Sequence, residues 1–335
     1  MTPANIEPLD LASAAQILAQ AGLVAFPTET VYGLGARADD DQAVARIFAT
    51  KGRPADHPLI VHVLDEQGAR VFASELPSVA RALMRAFWPG PVTVIVPRRP
   101  GLATACAGGQ DSIGLRCPSH PLARALLHRA LALGVPGLAA PSANRFGRVS
   151  PTRAEHVRHE FGLALPVLDG GVCEAGIESA IVDCTRERPV LLRPGTVDRQ
   201  ALEAACGQAL GERDAAAPRA SGSLESHYAP ACLVRLVGGS ALARQPGLVA
   251  GALALYSKAC PPSAHERGVV WRSMPASPQA VAHELFAVLR ELDAILVQRG
   301  GGEIWVEEPP WGAEWEGVRD RLSRAAASRA AEAQP

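Results

Sequence analysis

Residues 26–58, FPTETVYGLGARADDDQAVARIFATKGRPADHP, constrain the chain most, because they crowd hydroxyl, acidic, glycine and cationic residues into one strand–loop–helix–loop unit. The apolar run at residues 23–26 reads as a short buried strand that Pro27 stops. Thr28, Glu29 and Thr30 then project from its carboxyl end, where open α/β sheets receive ligands. Residues 39–41 offer N-cap and first-turn acids to a helix through Ala43, Ala45, Ile47 and Phe48, which ends in the turn Lys51-Gly52-Arg53-Pro54. Arginine grips phosphate oxygens bidentately and lysine acts as a point charge, so the turn suits a phosphate. Alone, the two cations would read as a solvated pair complementing the helix dipole. The adjacent PTET and the downstream PSAN at residues 141–144 reverse that preference.

Helical stripes alternate with short apolar segments from residue 11 to about 209. Strands are predicted at 59–63, 92–96, 113–115, 137–140, 166–168, 179–183 and 190–192. This alternation argues an α/β domain. The strands at 179–183 and 190–192 leave no room between them for a helix, so the sheet is expected to be mixed. Residues 211–226, GERDAAAPRASGSLES, lack apolar periodicity and read as a linker, followed by His227-Tyr228-Ala229-Pro230. Beyond it, strands at 233–237, 248–256, 268–271 and 294–297, a helix over 277–291 and another from 312 onward form a smaller α/β unit. The expected division is therefore 1–210, a linker or lid at 211–231, and 232–335, in keeping with a size prior of roughly 100–200 residues per domain.

Neither GxxxxGK[ST] nor GxGxxG occurs, so a nucleotide would have to be held by other means. The candidates are the KGRP turn, the polar strand ends, and Ser142 and Asn144 of PSANRFGRVS, whose bland alternative is a β-turn with an Asx cap. Arg116 ends a strand and is placed to meet a carboxylate. His62 sits between Val61 and Val63, on the opposite face of its strand. Glu178 reads as a surface carboxylate or, functionally, as a magnesium or substrate contact. His156 and His159 share a helix face without a second ligand pair, which favours a solvated face and no protein metal site.

These motifs carry a resemblance. PTETVYGLG, KGRPADHPLIVHV, PSAN, GIESAIVD at 176–183 and LRPG at 192–195 occur in order and resemble the YrdC-like family. With HYAP and the segment after it, the whole chain resembles the two-domain threonylcarbamoyl-AMP synthases. The resemblance implies a twisted mixed sheet around a concave cleft, joined to a smaller Rossmann-like α/β domain. It implies a threonine pocket of Thr30, His62, Arg116 and Ser179. It assigns ATP to Lys51, Arg53, His57, Ser112, Ala140, Ser142, Asn144, Ser150, Arg193 and Tyr228, with Lys51, Arg53 and a magnesium ion carried with ATP neutralising charge at phosphorus. The family's reaction condenses L-threonine, bicarbonate and ATP, and its product goes to the proteins that modify tRNA. One departure stands out: the linker reads SGSLES at 221–226, where the family pattern has PGM and a basic-aromatic pair.

Composition narrows the alternatives. With 33 basic and 34 acidic residues there is no broad footprint for nucleic acid or anionic membrane, so any tRNA contact would be local and weak or made by a partner. This disfavours the other reading of the cleft, a non-catalytic RNA-binding module. A carbamoyltransferase related to hydrogenase maturation factors would carry cysteine-rich zinc modules, whereas the seven cysteines here form no CxxC pair. Residues 1–22 have no basic region before their apolar stripe, and no segment reaches the roughly 18 apolar residues of a membrane span, so a cytoplasmic protein is expected.

Overall fold

Strands β1 (Val24–Phe26), β2 (Gly33–Arg37), β3 (Ile60–His62), β4 (Val92–Pro97), β5 (Ser112–Arg116), β6 (Leu138–Ala139), β7 (Ala180–Asp183) and β8 (Val190–Arg193) form one sheet in the order β1-β2-β6-β3-β5-β4-β7-β8. The computed structural model describes residues 9–222, 227–244, 253–261, 264 and 268–327. Pairs β3–β5 and β4–β7 are parallel and the other neighbours antiparallel, so the sheet is mixed as expected.

Period-two alternation divides this sheet into two chemically different faces. Val61, Val92, Val94, Val96, Leu115 and Val182 point into the main core with Phe48, Phe72 and Leu83 from the covering helices. The intervening residues include Ile60, His62, Thr93, Gly114 and Arg116, and they floor the opposite, concave side. Parallel register sets His62 beside Arg116. Linker residues Ala217 and Ala220 pack over the apolar part of this face, against Ile60, Ile95, Ile181 and Leu192.

The second unit is a parallel sheet of β9 (Leu233–Val237), β10 (Leu253–Ser257), β11 (Val270–Ser273) and β12 (Glu303–Glu307), ordered β11-β10-β12-β9. Ser277 caps its long helix, Pro278–Gln298, by accepting from the Ala280 N–H. The last helix is Glu316–Ala327.

Two predicted strands are corrected. Residues 294–297 continue the long helix, whose Leu285, Phe286, Leu289, Leu292 and Leu296 keep a helical stripe against the sheet. Residues 166–168 contribute only an isolated bridge between Val167 and Ala25. Conversely, β2 and β12 were not predicted. Of the predicted strand at 248–256, residues 248–252 lie outside the described residues, as do residues 223–226 of the linker. Cys106, Cys117, Cys173, Cys184 and Cys206 are free, and no described helix is long and apolar enough to cross a membrane.

Candidate active site

Pro27 ends β1 and the next three residues turn inward, where all are buried. The Thr28 hydroxyl donates to the Val31 carbonyl at 2.6 Å and lies 2.8 Å from the Thr30 hydroxyl. Arg116 reaches the same turn from the end of β5, donating to Thr30 Oγ1 at 2.8 Å and pairing with Glu29 at 2.7 Å. His62 lies beside it with its ring edge-on to Phe26. Burial and the Arg116 charge push His62 down to about 3, so the imidazole is neutral. Its Nδ1 is buried without a hydrogen-bond partner among the described residues.

The other pole is cationic. Lys51, the last residue of the helix Asp41–Lys51, is only 3% exposed and Arg53 only 8%. Neither therefore lies on the solvated face that the two cations taken alone would suggest. The Lys51 ammonium donates to the carbonyls of Ser142, at 2.6 Å, and Asn144, which places PSAN against KGRP. Arg53 donates to the Pro58 carbonyl at 3.0 Å and to the Ser221 hydroxyl at 3.4 Å. Arg193, from β8, donates to the carbonyls of Ser179 at 3.0 Å and Ser221 at 2.8 Å and to the Ser179 hydroxyl at 3.2 Å, which also lies 2.8 Å from the Thr93 hydroxyl. Burial and neighbouring Arg53 hold Lys51 well below the ordinary lysine value, and burial brings Arg53 down to about 10. Cations so desolvated gain from an incoming anion.

Tyr228 closes the space from above. It is 1% exposed, stacks on Phe286 of the long helix with centroids 5.3 Å apart, and touches His227. Its φ of 63° is left-handed, a conformation costing a non-glycine residue roughly 1–2 kcal/mol that persists where surroundings impose it. Thr30, Arg53, His62, Arg116, Ala140, Ser142, Arg193 and Tyr228 line one cavity of about 40 Å³, room for a few waters. The linker at Ser221 and Gly222 occupies the rest.

The remaining candidates stand back from this cavity. Lys51, Asn144 and Ser179 are buried and hydrogen-bonded to residues that line it or neighbour them; Ser150 donates to Glu178. Ser112 lines an adjoining depression beneath Ser221, and His57 packs edge-on against Phe146. Glu178 proves to be buried, not a surface carboxylate. Burial pushes its carboxyl up, but Arg321 and Arg193 outweigh this and hold it below the usual range.

Among the described residues no three His, Cys, Asp or Glu gather as metal ligands. Glu29 and Glu178 are already engaged by Arg116 and Arg321. The half-buried His156 accepts the Thr152 N–H, and with His159 it borders a larger cavity of about 910 Å³ between the two units. Several charges there pair with one another, Arg290 with Glu160 at 2.8 Å and Arg148 with Asp293 at 3.4 Å.

Sequence reasoning missed Glu29 as the partner of Arg116 and Thr93 as the partner of Ser179. Glu29 stands within the PTET motif and was legible by position. Thr93 became visible only through the pairing of β4 with β7.

Fold and site together define a class: a two-unit α/β protein with a buried cleft, one pole suited to an amino acid and the other to polyphosphate. The family described as "Telomere recombination", which groups Sua5, YciO and YrdC, matches residues 16–195, and "Threonylcarbamoyl-AMP synthase, C-terminal domain" matches residues 197–327. The chain belongs to the Sua5/YciO/YrdC family, in its two-domain form. It is 41% identical over 237 residues to threonylcarbamoyl-AMP synthase of Bacillus subtilis, covering 69% of this chain and 67% of that one. A similar match, 41% over 241 residues and 70% of each, is to the threonylcarbamoyl-AMP synthase of Pyrococcus abyssi. The crystal structure of P. abyssi Sua5 complexed with L-threonine superposes with a TM-score of 0.85 at 32% identity, covering 95% of this chain and 94% of that one.

Proposed function

We propose that the protein is an L-threonylcarbamoyladenylate synthase, converting L-threonine, bicarbonate and ATP to threonylcarbamoyl-AMP and pyrophosphate. The observation that carries this is one cavity joining Arg116, Thr30 and neutral His62 to Arg53 and Arg193. In this reading Arg116 meets the threonine carboxylate, and Thr30 and Ser179 face its hydroxyl. The amine adds to the carbon of bicarbonate with loss of water, giving a carbamate. A carbamate oxygen then attacks the α-phosphorus of ATP, and the bond to the bridging oxygen breaks as pyrophosphate leaves. No protein nucleophile is required. The chain contributes orientation, exclusion of water and cationic neutralisation by Lys51, Arg53 and Arg193.

The phosphates would replace the Ser221 carbonyl and hydroxyl on Arg193 and Arg53, which requires the linker to lift and then reclose with Tyr228 against the nucleotide. Magnesium would come as part of the ATP substrate. The product, a mixed carbamic–phosphoric anhydride, would pass to a tRNA-modifying transferase, and a cytoplasmic location fits that role. A non-catalytic RNA module would present its cations on an open face, whereas Arg53, Arg116 and Arg193 are buried. Pyrophosphate release tests the proposal: it should require threonine and bicarbonate together. Release that ignores either one would overturn it.

A further inference from the structure

Arg321, in the last helix, has no exposed surface. A guanidinium so desolvated must be held by specific partners. Its Nε donates to Glu178 Oε2 at 2.8 Å, its Nη2 to the Glu178 carbonyl at 3.1 Å, and its Nη1 to the Pro194 carbonyl at 3.1 Å and to Asp320 at 2.6 Å. Its Cζ lies over the Tyr228 ring, 5.3 Å from the centroid.

These contacts converge on the ends of the first sheet. Glu178 immediately precedes Ser179, and Pro194 immediately follows Arg193. One side chain from the second unit therefore grips the two loops carrying a threonine-pole hydroxyl and a phosphate-pole guanidinium, together with the linker tyrosine. The helix backbone is docked as closely, since a Cβ at Gly317 would fall 2.4 Å from the Gly195 carbonyl oxygen. Only glycine permits that approach.

We propose that Arg321 is a positioning residue for both substrates, setting Ser179 and Arg193 through their chain neighbours and Tyr228 through its ring. The inference rests on the synthase reading above, and it makes the second unit part of the active site's framework. A side chain that merely glued two units together would change stability and the fraction of active protein, leaving substrate affinities alone. A positioning residue changes the affinities.

The test uses the full chain. Arg321→Lys keeps the charge and loses the planar fork. Arg321→Met combined with Glu178→Gln removes both buried charges, avoiding the penalty of an unpaired carboxylate, and carries the test where the first variant does not fold. Threonine and ATP dissociation constants by calorimetry, and KM and kcat by pyrophosphate release, are read against the melting temperature. Each variant should weaken both substrates about tenfold or more, in line with the roughly 100-fold effect of an ångström's misplacement. Affinities and KM values within about twofold of the parent would overturn the proposal. A parent chain that binds both substrates but releases no pyrophosphate would instead refute the synthase reading, and the dissociation constants would still decide the role of Arg321.

Discussion

Lys51 and Arg53 combine positive charge with burial, and the energetic conflict shapes what each substitution will do. Lys51→Ala leaves the Ser142 and Asn144 carbonyls without their donor, a loss of about 1–3 kcal/mol, and should lower turnover by about 100-fold or more. Arg53→Lys preserves charge but not the fork and should also be poor. Urea unfolding and pyrophosphate release read these two effects separately; parent-like turnover in either variant would contradict the phosphate assignment. Burial also dictates a pH response. His62 and His227, each ordinarily near 6.5, are pushed to about 3, first by burial and then by neighbouring arginines. Between about 3 and 6.5 the unfolded chain therefore binds more protons than the folded one. Stability is complete above about 6.5 and declines on acidification by about 1.4 kcal/mol per pH unit per histidine. Urea unfolding from pH 7 to 5 should show this slope, and His62→Gln or His227→Gln should flatten it. A level profile for the parent would refute the burial of neutral imidazoles.

At the scale of elements, the sequence revealed most where neighbouring residues carry the signal. Alternation in β4 and β5 exposed the two-faced sheet, and the PTET, KGRP and PSAN motifs all contribute to the lining of one cavity. What escaped depended on distant partners. β2 begins Gly-Leu-Gly and looks like a loop, yet a Cβ at Gly35 would fall 2.7 Å from the Phe26 ring, so glycine is what allows β1 and β2 to pair. Residues 294–297 form an apolar run that is ambiguous by itself, and packing against β10 and β12 extends the helix through it. Arg321 sits in an arginine-rich helix with nothing local to distinguish it. The linker shows a related pattern: its sequence is bland, but Arg219 pairs with Asp56 at 3.2 Å and donates to the Gly108 carbonyl at 2.6 Å, while Gln110 accepts its backbone N–H at 2.6 Å. These contacts fasten the linker at Arg219 to the first unit. Arg219→Ala should accelerate proteolytic nicking within residues 211–231, and ATP with threonine should slow nicking in the parent. Identical rates in all three cases would rule out a latched lid.

For the whole molecule, the core does not respect the linker as a boundary. One apolar cluster joins Val31, Val149, Ile177 and Tyr228 to Leu285, Phe286 and Leu289 of the second unit. Truncation after Gly211 would uncover the first three as well as remove Arg321, so it should lower the melting temperature along with activity, and the intact chain should unfold in a single transition. A truncated chain with parent stability and parent KM values would show that the second unit is dispensable. The central claim is that one buried cleft unites an amino acid, bicarbonate and ATP. Mass spectrometry of the reaction run with ¹³C-bicarbonate tests it most directly. The account predicts a threonylcarbamoyl adenylate one mass unit heavier than that formed from unlabelled bicarbonate; an unlabelled adduct, or AMP or threonyl-adenylate in its place, would contradict it.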